Sequence, residues 1–450
     1  MFVTSRNCRL RKEILMRHHL SFTLQIILGL IILPLSAAEY SIWGTTNKKI
    51  AIYQPGEKII FTLKLLQDNT PVSGKKIVWT RTGDDGKKES GSAMSTKDGI
   101  HIETSLDRPG FVRIRAYAFD ENGKKIQGYI GGWGKKKTGA IFFDGGACVQ
   151  PEKLKAIEEP ADFDEFWQSM KQKLAAVPIK AERKELPFKD PRIKLYAVSV
   201  TCAGPRPVTG YLSLPANAPQ KSLRAIVQYH GYGVRNHKPP KWVPGNAIVF
   251  NINAHGMPLN MTEEAFRKFA ATLKRYAFNN EENKDREKAY FYGMALRVMR
   301  SLQYVKSLPE WDGKNLDIQG GSQGGLQGLW AAGLDPDVTS ADIWSPWCCD
   351  LGGITVGRMR GWRPDFTPAL NYYDPVFHAR RIKGKVKLVA NLGDYTCPPS
   401  GVWIVYNNIP HNNKALEVRQ GCTHGYQMKN HDRFLVTPEN IRELPPGNKK

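Results

Sequence analysis

Cysteine is scarce in this chain: seven are spread over 450 residues, and Cys8 falls in an N-terminal leader. The other six, Cys148, Cys202, Cys348, Cys349, Cys397 and Cys422, are too sparse for the disulfide framework of a small exported domain. A bridge between Cys397 and Cys422 and a set of buried free thiols both stay open. No H-E-x-x-H run and no paired-cysteine spacing occur, so no metal is expected. A phosphate-binding loop and a dinucleotide fingerprint are both missing, so no cofactor is implied. Nothing resembles a nucleic-acid-binding motif. After the leader no apolar run is long enough to span a bilayer, and there is no internal repeat or low-complexity tract. Acidic residues are also in short supply, 42 against 65 basic ones, a net charge of +23. In an exported protein that charge suits either an anionic polymer or a solvated basic surface.

What is present starts with the leader. Arg6, Arg9, Arg11, Lys12 and Arg17 precede an apolar stretch over residues 20–35, and Ser36, Ala37 and Ala38 supply small residues for a signal peptidase. A signal peptide over 1–38 is expected, cleaved after Ala38, with a secreted or periplasmic mature protein starting at Glu39. Met16 is an alternative start, and an uncleaved anchor is the alternative fate.

Residues 39–148 read as all-β. The run 58–66 mixes alternation with β-branched and aromatic residues. Over 111–119, Arg113 and Arg115 fall on one face and Val112 and Ile114 on the other. Asp85-Gly86 and Asn122-Gly123 are hairpin-type turns. An immunoglobulin-like β-sandwich is the expectation, with Trp43 and Trp133 as core residues or as platforms for sugar. A glycine-rich linker is expected around Gly145-Gly146. From Asp162 the spacing of Phe163, Phe166, Trp167 and Met170 predicts a helix. Residues 195–200 and 208–214 read as a paired hairpin. Short apolar runs at 225–229, 247–252, 316–319, 341–344, 386–390 and 416–418 then alternate with helical segments, which predicts a buried, mostly parallel sheet over 149–450.

The chemistry centres on Gly320-Gly321-Ser322-Gln323-Gly324-Gly325. It contains G-x-S-x-G between a β-run ending at Gln319 and a helix-compatible run from Leu326, the strand–turn–helix frame of an α/β-hydrolase nucleophile elbow. A serine hydroxyl needs a base to take its proton, and in this fold the acid and then the histidine follow the serine in the chain. Asp394 stands just past the strand 386–390, and His424 just past 416–418. Asp350, His411 and His431 are competitors. An oxyanion needs backbone donors. Gln323, after the nucleophile, supplies one, and Tyr232 in His230-Gly231-Tyr232-Gly233, after an early strand, supplies the other. His230 reads as structural. Residues 260–287, long and charged, are expected to form a largely helical cap over the pocket. Trp344, Trp347 and Trp362 either line that pocket or fill the core.

With these residues placed, the second half resembles the acetyl xylan esterase and cephalosporin-C deacetylase group, carbohydrate esterase family seven. The resemblance rests on the entry helix at 162–167, the loop 230–233, the elbow 320–325 and the run Asp394-Tyr395-Thr396-Cys397-Pro398-Pro399-Ser400. It implies deacetylation of sugar esters by a triad of Ser322, Asp394 and His424, with Tyr232 and Gln323 as oxyanion hole. It also implies a ring-shaped hexamer, which the added N-terminal sandwich would block or replace; a homo-oligomer stays open. Where the family carries R-G-Q this chain has Asn253 and His255 around Ala254, and Gly425 replaces the glutamate after the catalytic histidine. Losing both charged groups avoids stranding one of them. The expected substrate is an acylated polysaccharide or oligosaccharide. Alternatives are another serine hydrolase of the same fold, a peptidase or general carboxylesterase, and a catalytically silent polysaccharide-binding protein.

Overall fold

Residues 59–67 alternate buried and part-exposed side chains, and they form a strand, Ile59–Gln67, whose Ile59, Phe61, Leu63 and Leu65 point into one core. In the computed structural model, which describes residues 39–131 and 137–442, this strand lies in the first of two N-terminal sheets. It pairs antiparallel with Tyr40–Thr46 and with Ile100–Thr104. The second sheet runs in the order Ile52–Tyr53, Phe142–Val149, Gly110–Phe119, Lys76–Gly83, Lys88–Met94. Ile42, Phe61, Leu63, Ile77, Ile114 and Phe143, from both sheets, share one buried cluster. Gly86 and Gly123 take the positive φ that their hairpin turns demand. The leader, its expected cleavage site and Trp133 lie outside the described residues.

Gly145 and Gly146 do not form a linker. They sit inside the strand Phe142–Val149, fully in register with Gly110–Phe119. Their small size serves close packing: a Cβ on Gly145 would fall 2.3 Å from the Gln420 side-chain oxygen, and one on Gly146 would fall 2.2 Å from the Phe111 ring. Glycine marks close approach as readily as it marks turns.

The remainder folds on a ten-stranded sheet. Its order is Ala181–Leu186, Ile193–Val200, Val208–Pro215, Ala247–Asn253, Leu223–Tyr229, Trp311–Gly321, Ser340–Trp344, Lys385–Asn391, Lys414–Arg419, Arg433–Val436. The six strands from Ala247–Asn253 to Lys414–Arg419 are parallel to one another. The flanks on both sides are antiparallel, so the sheet is mixed. The outermost strand, Ala181–Leu186, is almost wholly exposed and carries no apolar alternation that sequence reading could catch. Trp167 and Trp330, from the helices Phe163–Ala175 and Gln323–Leu334, are buried in the core that covers the sheet.

The segment 260–287 is helical only over Glu263–Ala271, with a short 3-10 turn at Glu282–Lys284. Arg275 and Ala277 adopt left-handed backbone between them, which breaks any continuous helix. Among the described residues no helix is long and apolar enough to cross a membrane.

The N-terminal sheets are fastened to the large sheet by specific contacts. The Gln420 side chain accepts from Gly146 N–H at 3.0 Å and donates to Gly146 O at 2.8 Å. Tyr426 and Met428 lie in the same buried cluster as the N-terminal core. Gly393 has room for no side chain, because a Cβ there would meet Asp144 O at 1.9 Å.

Candidate active site

The strand Trp311–Gly321 ends in a turn whose geometry only small neighbours permit. A Cβ on Gly320 would lie 2.2 Å from Gly324 O, and one on Gly324 would lie 2.1 Å from Tyr229 O. Between them Ser322 is held at φ 57°, ψ −122°, a strained conformation for a residue with a side chain. Its backbone is locked on both sides. Ser322 N–H donates to Trp344 O at 2.9 Å, and Ser322 O accepts from Leu326 N–H at 3.0 Å and Trp347 N–H at 2.9 Å. The helix Gln323–Leu334 starts at the next residue.

Two loops from the far ends of later strands converge on this serine. His424 Nε2 lies 3.0 Å from Ser322 Oγ, and its Nδ1 lies 2.8 Å from Asp394 Oδ2. Asp394 is buried, and its other oxygen accepts from the N–H groups of Thr396 (2.8 Å) and Cys397 (2.9 Å). Burial pulls the His424 imidazole pKa down, but the Asp394 hydrogen bond and charge outweigh it and leave it above the ordinary histidine value. The histidine's turn is tied by Thr423, which donates its N–H to Tyr426 O at 2.8 Å and accepts at its carbonyl from Asn391 Nδ2 at 3.1 Å. Ser322, Asp394 and His424 are thus brought together as the sequence predicts. The competitors are elsewhere: Asp350 is buried in an ion pair with Arg358, and His431 Nδ1 donates to Met428 O.

The loop 230–233 lies against the elbow. A Cβ on Gly231 would stand 3.9 Å from Ser322 Cβ and 3.8 Å from Gly321 O. Gln323 is the first helical residue, so its N–H has no partner within the helix. His230 is structural, as expected. Its Nδ1 donates to Gly231 O at 2.7 Å and its Nε2 accepts from Ala254 N–H at 3.1 Å, and burial pushes its pKa down to about 4.

Sequence reading missed the scaffold behind this loop. The Tyr276 hydroxyl accepts from Gly233 N–H at 2.8 Å and donates to Gln323 Oε1 at 2.5 Å. The Tyr276 ring stacks on that of Tyr232 at 4.3 Å. His255 Nε2 donates to Gly233 O at 3.2 Å while its Nδ1 accepts from the Tyr290 hydroxyl at 2.7 Å. Burial holds His255 neutral, with a pKa pushed down to about 3. Asn253 and Gly425 carry no charge, but a cation reaches this region from elsewhere in the chain. Arg297, from the helix Tyr290–Lys306, is buried there and donates Nε to Ala254 O at 2.9 Å. No sequence signal links Tyr276 or Arg297 to the site, because both reach it through long-range packing. Gly425 leaves open space where the family carries glutamate.

Of the three tryptophans, Trp347 is core. Trp344 and Trp362 are 40% and 43% exposed. Trp362 stacks on Trp347 at 5.5 Å and meets Tyr232 edge-on at 4.7 Å. Asp394, Cys397 and His424 are of metal-ligand type, with donor atoms within 4.8 Å. Both Asp394 oxygens are already hydrogen-bonded, and burial pushes the Cys397 thiol well up, so this donor set does not suit a metal.

Comparison with known proteins follows the same outline. The acetyl xylan esterase family profile matches residues 152–359 and 363–436. The chain belongs to that family. Among curated relatives, the acetyl esterase Axe7A of Xylanibacter ruminicola is 30% identical over 285 residues, 59% of this chain and 64% of the relative. The chain thus aligns with under two thirds of that relative's length. The acetyl xylan esterase from Paenibacillus sp. R4 superposes with a TM-score of 0.51 at 24% identity, covering 61% of this chain and 93% of the other. Acetyl xylan esterase 1 from Thermoanaerobacterium sp. JW/SL YS485 gives 0.50 at 22%, covering 62% and 94%. These two share the α/β-hydrolase fold of the family region. The N-terminal sheets fall outside the family match.

Proposed function

We infer that this acetyl xylan esterase family member is an exported serine carbohydrate esterase that removes acetyl groups from a polysaccharide or oligosaccharide. The observation that carries the reading is the hydrogen-bonded line from Asp394 Oδ2 through both ring nitrogens of His424 to Ser322 Oγ. Neutral His424 takes the proton of Ser322 as Oγ adds to the ester carbonyl carbon. The oxyanion is met by the backbone N–H groups of Tyr232 and Gln323. Collapse breaks the bond to the sugar oxygen, which leaves with the proton held on His424 Nε2. Water, deprotonated by His424, then attacks the acyl-enzyme, and acetate leaves as Ser322 regains its proton. Asp394 fixes the imidazole's orientation and stabilises its cation.

In this reading residues 1–38 are a signal peptide removed after Ala38, residues 39–148 an immunoglobulin-like sandwich and residues 149–450 the esterase domain. The product of cleavage acts in the periplasm or outside the cell. The test is acetate release from acetylated xylan and from p-nitrophenyl acetate by the mature protein and by Ser322→Ala. Activity on both, lost in the variant, is the expected result. Activity that survives in Ser322→Ala overturns the assignment.

A further inference from the structure

The two left-handed residues that flank Tyr276 turn it toward the elbow and leave a cation facing away from it. Arg275 and Ala277 take left-handed backbone, at φ 54° and 66°. Such strain in residues with side chains persists only where the surrounding structure over-determines it. Tyr276 between them is buried against Gln323 and Tyr232, whereas Arg275 and its neighbour Lys274 are exposed. Both line an open cavity of about 520 Å³.

The charges in this cavity do not balance. Asp365 is taken by Arg360 at 2.6 Å and by the amide of Asn280 at 2.9 Å, and Glu281 is taken by Lys284 at 2.7 Å. Lys274 and Arg275 have no ion pair among the described residues, so two positive charges face the cavity without a counter-charge. The cavity is also joined to the candidate active site by a row of rings. Phe278, which lines it, lies 5.0 Å from Trp362, and Trp362 lies 4.7 Å from Tyr232 of the loop at the elbow. Trp362 is 43% exposed as a residue, and an exposed indole offers a flat apolar face to a sugar ring.

We propose that this cavity is a subsite for an anionic substituent of the acylated glycan, a uronate carboxylate or a sulfate ester. A sugar stacked on Trp362 places its acetyl group toward Ser322 and its charged neighbour against Lys274 and Arg275. The guanidinium fork and the ammonium both recognise such oxyanions. This inference rests on the esterase reading for the position of the acetyl group, but recognition of the anion stands without it.

The experiment therefore measures binding and turnover separately. Ser322→Ala is titrated with acetylated xylo-oligosaccharides that either carry or lack a glucuronate branch, and with a sulfated, acetylated oligosaccharide. The same ligands are offered to the wild type for acetate release. Two exposed charge contacts predict about fivefold tighter binding of an anionic ligand than of its neutral counterpart at low salt. That preference should shrink as salt is raised. It should fall close to one in Ser322→Ala carrying Lys274→Gln and Arg275→Gln, with an unchanged melting temperature showing that this protein is folded. Preference for the glucuronate ligand identifies the source as a uronate, and preference for the sulfated ligand alone identifies it as a sulfate ester. Equal binding of all three ligands overturns the subsite, even if the wild type releases acetate from each. So does a preference that survives the double substitution. Selective binding without acetate release leaves the subsite standing and removes the esterase reading.

Discussion

The hydroxyl of Tyr276 lies 2.5 Å from the side-chain oxygen of Gln323. The Tyr276 hydroxyl oxygen also accepts the Gly233 N–H, so one phenol ties the residue after the nucleophile to the loop proposed to supply the second oxyanion donor. Replacing Tyr276 by Phe keeps the ring stack with Tyr232 and removes both hydrogen bonds. The expected result is a fall in kcat of about tenfold, less than the 10²–10³ seen when a donor itself is lost. KM for a small ester should hardly move. A change confined to KM or to melting temperature would assign Tyr276 a purely structural role.

The raised pKa of His424 fixes the acid limb of the rate profile. The base must be neutral, so kcat/KM should fall as pH drops through a value above the ordinary histidine figure. Asp394→Asn removes the group that raises it while burial remains. In that variant the limb should move to lower pH, with kcat reduced by about ten-thousandfold. An acid limb that stays in place would show that another group titrates there.

A buried histidine away from the site carries a pH signature of stability. His378 is fully buried among aromatic rings, and burial pushes its pKa down to about 3. Between that value and the ordinary 6.5, the unfolded chain binds a proton that the folded one refuses, so this group costs stability as pH falls below 6.5. Asp84 and Asp374, raised by burial to about 6 and about 7, act in the opposite sense. Comparing wild type with His378→Phe isolates the histidine. From about pH 7 to about pH 5, denaturant unfolding should show the wild type losing about 2 kcal/mol more than the variant. Parallel losses would refute the assignment.

Gln420 joins two parts of the chain, and its loss should be felt in both stability and rate. Gln420→Ala leaves the buried Gly146 N–H and carbonyl without side-chain partners, and also removes an acceptor for Gly421 N–H. A cost of about 1–3 kcal/mol is expected. Because Gly421 opens the turn that carries His424, kcat should drop as well. Full activity in a destabilised variant would show that the His424 turn holds itself.

The elbow was legible because its glycines answer to clashes at fixed spacing around Ser322, and chain order then pointed to Asp394 and His424. The parallel strands were legible because burial makes them continuous apolar runs. The exposed strand Ala181–Leu186 was not, since main-chain pairing alone holds it at the sheet's edge. Gly145-Gly146 misled, because a glycine needed for close approach reads the same as one needed for a turn. Tyr276 and Arg297 were invisible because each acts across the fold, 47 residues from Gln323 in one case and 43 from Ala254 in the other.

The fastening of the N-terminal sheets has a wider meaning for the catalytic geometry. Asp144 O bars any side chain at Gly393, the residue before Asp394. Arg113 caps the ring of Tyr395, the residue after it, at 4.5 Å. Tyr426, two residues past His424, is buried in the N-terminal core. The acid and the base are therefore mounted from both sides, with the nucleophile on the large sheet alone. The N-terminal region is then part of the instrument's alignment rather than a passenger, and a disturbance there is transmitted to the proton-handling half of the triad while Ser322 stays where its own strand puts it.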